Sequence, residues 1–221
     1  MFDIDKLIIR EATLDDVDFI ATTIIEAEKS GTDKIGPANY FEISEADYRK
    51  CLIQMLEEKI DGCEISLSSF AVAEYEGQIV AASGGWIEGD NENKMPSSML
   101  KSNLFAFILP KENLLKGQSK YDIVKDIMIE REMGTYQLEY LYTRPDFRGY
   151  QIMNKLNGYH IDLAKQKRAN KVQIHISDGN RMSIKTCERS GFHVVKKFTS
   201  NHPQVKEFYP DNTMLLLEMN L

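Results

Sequence analysis

The chain has 221 residues, 43% hydrophobic and 28% charged, with a net charge of −7 and a pI near 5.2. That balance suits one large globular domain over 1–221 and argues against a nucleic-acid partner. No run of 18 apolar residues offers a membrane span, and the acidic start MFDIDKLIIREA lacks the uninterrupted apolar core of a secretion signal. Cys51, Cys63 and Cys187 form no C-x-x-C pair, so neither a disulfide framework nor a cysteine zinc site is expected, and reduced thiols in a cytoplasm are.

In chain order, KLIIREA reads as a first strand over Lys6 to Glu11. Thr13 with Asp16 has the spacing of a capping box, and Leu14, Val17, Ile20, Ala21 and Ile24 carry an apolar stripe to about Glu28. Gly31 and Gly36-Pro37 interrupt the pattern; Ser44 with Asp47 then caps a second helix, whose stripe is Tyr48, Leu52, Met55 and Leu56. SFAVAEYEGQIVAASGGWI is a hairpin about Glu76-Gly77. Residues 88–136 are an irregular insertion with two helical stretches, SSMLKSNLFAFIL up to Pro110 and YDIVKDIMIEREM.

The last third is more regular. TYQLEYLYT is a strand, and Ile152, Met153, Leu156, Tyr159, His160, Leu163 and Ala164 form a helical stripe. KVQIHIS alternates as a strand, a short helix runs from Asn180 to a left-handed cap at Gly191, and FHVVKKFTS and TMLLLEMNL are two more strands. The order β-α-α-β-β, insertion, β-α-β-α-β-β predicts an α/β fold. A mixed central sheet of about seven strands is flanked by helices, and the strands on either side of the 152–164 helix lie parallel.

Between the strand and that helix stands LYTRPDFRG, then Tyr150, Gln151, Ile152, Met153 and Asn154, with no acid in the first helical turn. Helix starts leave about four amides unpartnered and attract anions such as phosphate. This stretch, the Asn180/Ser183 … Gly191-Phe192 pattern and the opening IREATLDDVDFI together resemble the GNAT superfamily of acyl-CoA-dependent N-acyltransferases, over most of the chain outside residues 88–136. Arg148 matches the family's phosphate-binding motif. Gln151 and Met153 stand where glycine and a small residue are usual, and Cys187 stands where a tyrosine general acid often does.

The resemblance implies acetyl-CoA as co-substrate, without a metal, and direct attack by a primary amine of a small molecule or peptide. It implies pyrophosphate against the amides of Gly149, Tyr150, Gln151, Ile152, Met153 and Asn154, with Arg148 beside them. The pantetheine arm would lie along Leu141, Tyr142 and Thr143, where two parallel strands splay, with Asn180 and Ser183 nearby. The insertion would wall the acceptor site, and a homodimer is possible. Glu139 is a candidate general base; strand alternation puts it on the face of Leu141 and Thr143, and the competing reading is a salt-bridged strand glutamate. Cys187 is a candidate general acid, or a small packed residue. Tyr140 lines the acceptor cleft or packs, while His160 and His175 read as core or face residues. The rival function is a non-catalytic CoA-binding or regulatory module. It draws on the departures at Gln151, Met153 and Cys187.

Overall fold

A computed structural model describes residues 2–221. After a short turn over Ile4–Lys6 the first strand, β1, covers Ile8–Glu11. The capping box forms: Asp16 Oδ2 accepts from the Thr13 amide at 2.7 Å and from its hydroxyl at 3.0 Å. Helix α1 (Val17–Lys29) follows. Gly36-Pro37 does not merely break the chain but opens a short helix, α2 (Gly36–Phe41), because a proline in the first helical turn forfeits no intrahelical bond. Ser44 caps α3 (Glu45–Glu57) through the Asp47 amide at 3.1 Å.

Strands β2 (Phe70–Tyr75) and β3 (Gln78–Ile87) are joined at Glu76-Gly77, both at positive φ (49° and 78°), as a two-residue hairpin turn requires. The β3–β4 connection holds α4 (Ser97–Ile108), α5 (Lys111–Ser119) and α6 (Tyr121–Val124). The sequence suggested neither α5 nor so short an α6. Pro110 ends one helix and starts the next. Beyond Val124 the chain leaves the helical path and carries Arg131 to a buried ion pair, which outweighs a few more turns of marginal helix. The remaining elements are β4 (Tyr136–Thr143), α7 (Ile152–Gln166), β5 (Lys171–Ser177), α8 (Arg181–Arg189), β6 (His193–Thr199) and β7 (Thr213–Asn220).

The seven strands form one sheet in the order β1-β2-β3-β4-β5-β7-β6. Only β4 and β5 pair in parallel among the described residues, through Tyr136↔Val172, Gln137↔Gln173 and Leu138↔Ile174. Helices α1 and α3 cover one face, where Ile20, Ile24, Leu52 and Met55 pack on Phe70 and Val72. Helices α7 and α8 cover the other, where Ala164, Ile184 and Cys187 meet Leu138, Val172, Ile174 and Leu217.

Two irregularities shape the middle of the sheet. The β4–β5 pairing ends at Leu138↔Ile174, while β4 stays bonded to β3 as far as Thr143↔Ala81 and β5 to β7 as far as Ser177↔Met214. The two strands therefore diverge, and each presents an unpaired edge to the wedge between them. On β4, three residue steps (Glu139 to Tyr142) oppose two on β3 (Gly84 to Ala82), so β4 carries a bulge. Tyr140 sits at φ 53° within it.

Candidate active site

The end of β4 runs into the turn that starts α7. Gly149 adopts φ 87° and Gln151, the residue before the helix, φ 59°. Gln151 is thus left-handed, contrary to the ordinary dihedrals its side chain would favour; this is a position where glycine carries no steric cost. A Cβ on Gly149 would meet nothing within 4 Å, so its requirement for glycine is one of backbone conformation and not of crowding. Ile152 and Met153 turn their side chains into the cluster with Ala73 and Val80. The amides of Gly149, Tyr150, Gln151, Ile152 and Met153 have no acceptor among the described residues, whereas the Asn154 amide is already bonded to the Gln151 carbonyl at 3.0 Å. Five consecutive free donors at a helix start without acids make a candidate anion cradle. It is one residue shorter than the sequence suggested, ending at Met153.

Arg148 folds back, its Nε donating to the Thr143 carbonyl at 3.2 Å. Tyr150 lies tilted against the Phe2 ring, 4.5 Å between ring centres. Tyr142 lies 6.1 Å from the Phe19 ring. Asn180 caps α8, its Oδ1 accepting from the Ser183 amide at 3.2 Å, which leaves its side-chain NH₂ for other contacts. These residues and the cradle stand around the C-terminal ends of β4 and β5, where the wedge opens.

Beside the wedge is a cavity of about 410 Å³. Glu139 and Tyr140, the first β4 residues past the last parallel pair, form part of its wall. The bulge separates Glu139 from Leu141, which packs on the opposite face with the α7–α8 cluster; the alternation argument for a shared face fails here. Residues of the insertion supply much of the remaining wall, including Lys101, Phe105, Met128 and Arg131.

The cavity holds an ordered set of charges. Arg131 donates to Glu139 Oε1 at 2.7 Å and 3.1 Å and stacks 5.3 Å over the Trp86 ring. Glu64, 2% exposed, lies 3.6 Å from Arg131 and 3.4 Å from Lys101. Burial pushes the Glu139 carboxyl up, but the charge of Arg131 and the neighbouring His175 outweigh it and hold the group at about 2. His175 is buried, its Nδ1 3.6 Å from Glu139, and neither ring nitrogen has a hydrogen-bond partner. Glu28, from the end of α1, differs from the other two carboxylates. It accepts one hydrogen bond, from the Tyr140 hydroxyl at 3.3 Å, and has no cation within ion-pair distance among the described residues. Burial raises its pKa above the usual carboxylate range; the charge of Lys101 opposes that rise and the charge of Glu139 adds to it.

Cys187 is 3% exposed and packed with Ile184, Phe192 and Leu217 on the α7–α8 face, and burial pushes its thiol up to about 11. The structure does not bring it to the cavity wall. Sequence reasoning missed Glu28, Glu64, Lys101 and Arg131. They arrive from α1, the segment before β2, α4 and the segment after α6, and no spacing along the chain links them.

The sequence matches the acetyltransferase (GNAT) family over residues 37–192. No curated protein matches it. Among solved structures, the fold is similar to an N-acetyltransferase from Staphylococcus aureus Mu50, with TM-score 0.68 and 14% identity over 96% of this chain and 100% of that one. It is also similar to a structure described as an acetyltransferase, with TM-score 0.62 and 19% identity over 96% and 98%. A GCN5-related N-acetyltransferase from Kribbella flavida gives TM-score 0.57 and 12% identity over 99% and 100%. At these identities the likeness is one of fold, and it agrees with the family match, which spans well over half of the sequence. This chain, with its splayed parallel strands and its bare helix start, belongs to the GNAT family of acetyltransferases.

Proposed function

We propose that the protein transfers the acetyl group of acetyl-CoA to a primary amine bound in the cavity beside β4. The observation that carries this reading is the wedge after Leu138↔Ile174, which joins the free amides of Gly149 to Met153 at one end to the charged cavity at the other. When bound, acetyl-CoA supplies an activated thioester. The amides of Gly149 to Met153 hold its pyrophosphate, with Arg148 at their edge, and the side chains of Ile152 and Met153 anchor the turn from below. The open edge of β4 at Leu141, Tyr142 and Thr143 offers backbone donors and acceptors to an extended amide-bearing chain, as a neighbouring strand would. Asn180 offers its remaining NH₂ from the β5 side. A backbone amide on β4 near Tyr142 polarises the acyl carbonyl, and a donor fixed before reaction needs no reorganisation.

Glu139 is a poor proton acceptor when Arg131 holds its pKa at about 2. We read it as the group that fixes Arg131 and the field across the wedge, and Cys187 as packing. Calorimetry with CoA, together with thiol release from acetyl-CoA in the presence of primary amines, tests the reading. CoA should bind at the α7 start, and thiol release should depend on the amine. Binding without amine-dependent release across a broad panel would favour a non-catalytic CoA-binding module.

A further inference from the structure

The cavity's charges do not balance. Among the described residues, Glu28, Glu64 and Glu139 line it with only Lys101 and Arg131 to oppose them. Both cations are engaged: Arg131 with Glu139 and Glu64, and Lys101 with Glu64 and the Tyr140 hydroxyl at 3.2 Å. The carboxylate left over is Glu28, joined through the Tyr140 hydroxyl to the strand residue where the wedge opens. A half-buried carboxylate without a cation is left poorly compensated until a partner arrives. The rest of the wall is largely aromatic, with Phe41 and Phe105 in contact at 4.8 Å and Tyr40, Phe208 and Tyr209 around them. The volume, about 410 Å³, lies at the small end of the range of small-molecule sites, roughly 300–1,000 Å³.

We propose that the cavity takes a primary monoamine with an apolar or aromatic body and no carboxylate, whose ammonium docks on Glu28 and loses its proton there. This rests on the acetyl-transfer reading above. The charge count allows one ammonium. Among the described residues, no free cation stands on the wall to receive the carboxylate of an amino acid, and the aromatic end holds no carboxylate to pair with the second charge of a diamine. Glu28 accepts one ammonium proton. The freed nitrogen lone pair forms the C–N bond to the thioester carbonyl carbon, the C–S bond breaks with its electron pair on sulfur, and a second N–H proton passes to that sulfur. The products are the N-acetylated amine and a free thiol, with the first proton returned from Glu28 to water. Glu139, the candidate base named from the sequence, is instead the salt-bridged strand glutamate of the competing reading, tied to Arg131.

The titration of Glu28 is set by the groups that face it. Lys101 comes from α4, Glu139 and Tyr140 from β4, and Glu64 from the segment before β2. Tyr48 from α3 and Tyr209 from the segment before β7 also feel its charge.

The test pairs kinetics with binding. Thiol release from acetyl-CoA is measured with 2-phenylethylamine, with phenylalanine, which has the same body plus a carboxylate, and with putrescine. Binding of 2-phenylethylammonium to the protein without acyl donor is followed by calorimetry. We expect kcat/KM for 2-phenylethylamine to exceed that for the other two by about 100-fold, the scale of a site that leaves a charge unpaired. Glu28→Gln should lower kcat by about 10²- to 10⁴-fold and abolish calorimetric binding, with its melting temperature unchanged or raised. Glu28→Asp, which keeps the charge, should recover part of both; its retained binding separates a docking role from a folding defect. Turnover of phenylalanine equal to that of 2-phenylethylamine, or amine binding undiminished in Glu28→Gln, overturns the proposal. If thiol is released only with amino acids or peptides, acetyl transfer stands and this inference falls. If 2-phenylethylammonium binds through Glu28 but no amine releases thiol, the docking site stands, while acetyl transfer and proton transfer to Glu28 both fall.

Discussion

Gln151 stands where glycine is usual in the motif this stretch resembles, and its φ of 59° shows what the departure entails. A non-glycine residue in the left-handed region costs about 1–2 kcal/mol. The amide it presents is the same one a glycine would present. Gln151→Gly should therefore leave CoA affinity within about threefold, since no donor is lost, and it relieves strain while adding disorder to the unfolded chain. Gly149→Val should do the reverse. At φ 87° a β-branched side chain is strained by about 1–3 kcal/mol even with open space around its Cβ. The turn should then relax and CoA binding weaken by about tenfold or more. Calorimetric titration of both variants checks this, and a Gly149→Val protein that binds CoA as the parent does would remove Gly149 from the cradle.

At the scale of elements, the β3–β4 connection decides the chemistry of the cavity. Its segment after α6 delivers Arg131, which is nine-tenths buried, to Glu139 and Glu64. Breaking a buried pair by removing one partner leaves an uncompensated charge, typically at a cost of about 3–5 kcal/mol. Arg131→Met should cost about that much at neutral pH. The loss should shrink in acid, where Glu139, freed from the cation that held it near 2, takes up a proton. Urea unfolding at neutral and acid pH reads both effects. Strand β4 adds the second device: the bulge at Tyr140 turns that ring and Glu139 together toward the cavity while Leu141 packs behind.

For the molecule as a whole, acid should act first through a histidine away from the cavity. His160 of α7 is buried, its Nδ1 2.7 Å from the Tyr136 hydroxyl and its Nε2 2.9 Å from the Ser83 hydroxyl. Burial lowers its pKa from 6.5 to about 4. A histidine with a lowered folded pKa leaves stability intact above its unfolded value and removes it as pH falls from 6.5 toward about 4, because the unfolded chain takes the proton first. That shift corresponds to about 3 kcal/mol. Burial depresses His175 in the same direction. Below about 4.5 the depressed Glu139 adds its own loss as pH falls toward about 2, while Glu28, shifted upward, works in the opposite sense. Urea unfolding across pH 7 to 4 should show the first slope, and His160→Gln should flatten it.

The sequence by itself determined most of the scaffold. Local signals were enough for that: the Thr13/Asp16 and Ser44/Asp47 caps, the Glu76-Gly77 turn, the period-two strands and the left-handed Gly191 each depend on residues a few positions apart. The Arg148-Gly149 turn and the acid-free start of α7 marked the helix start with free amides for the same reason, since a helix terminus is a local object. The wedge depends on a register that stops at Leu138↔Ile174, and the side-chain directions of β4 on a bulge whose extra residue is defined only against β3. The cavity's charges come from segments as far apart as Glu28 and Arg131, brought together by packing on one sheet face. Only the tertiary structure decided which carboxylate was left without a cation. Ion pairing is set by distance in space, and three glutamates that look alike along the chain become different acids once Arg131 and Lys101 have chosen partners.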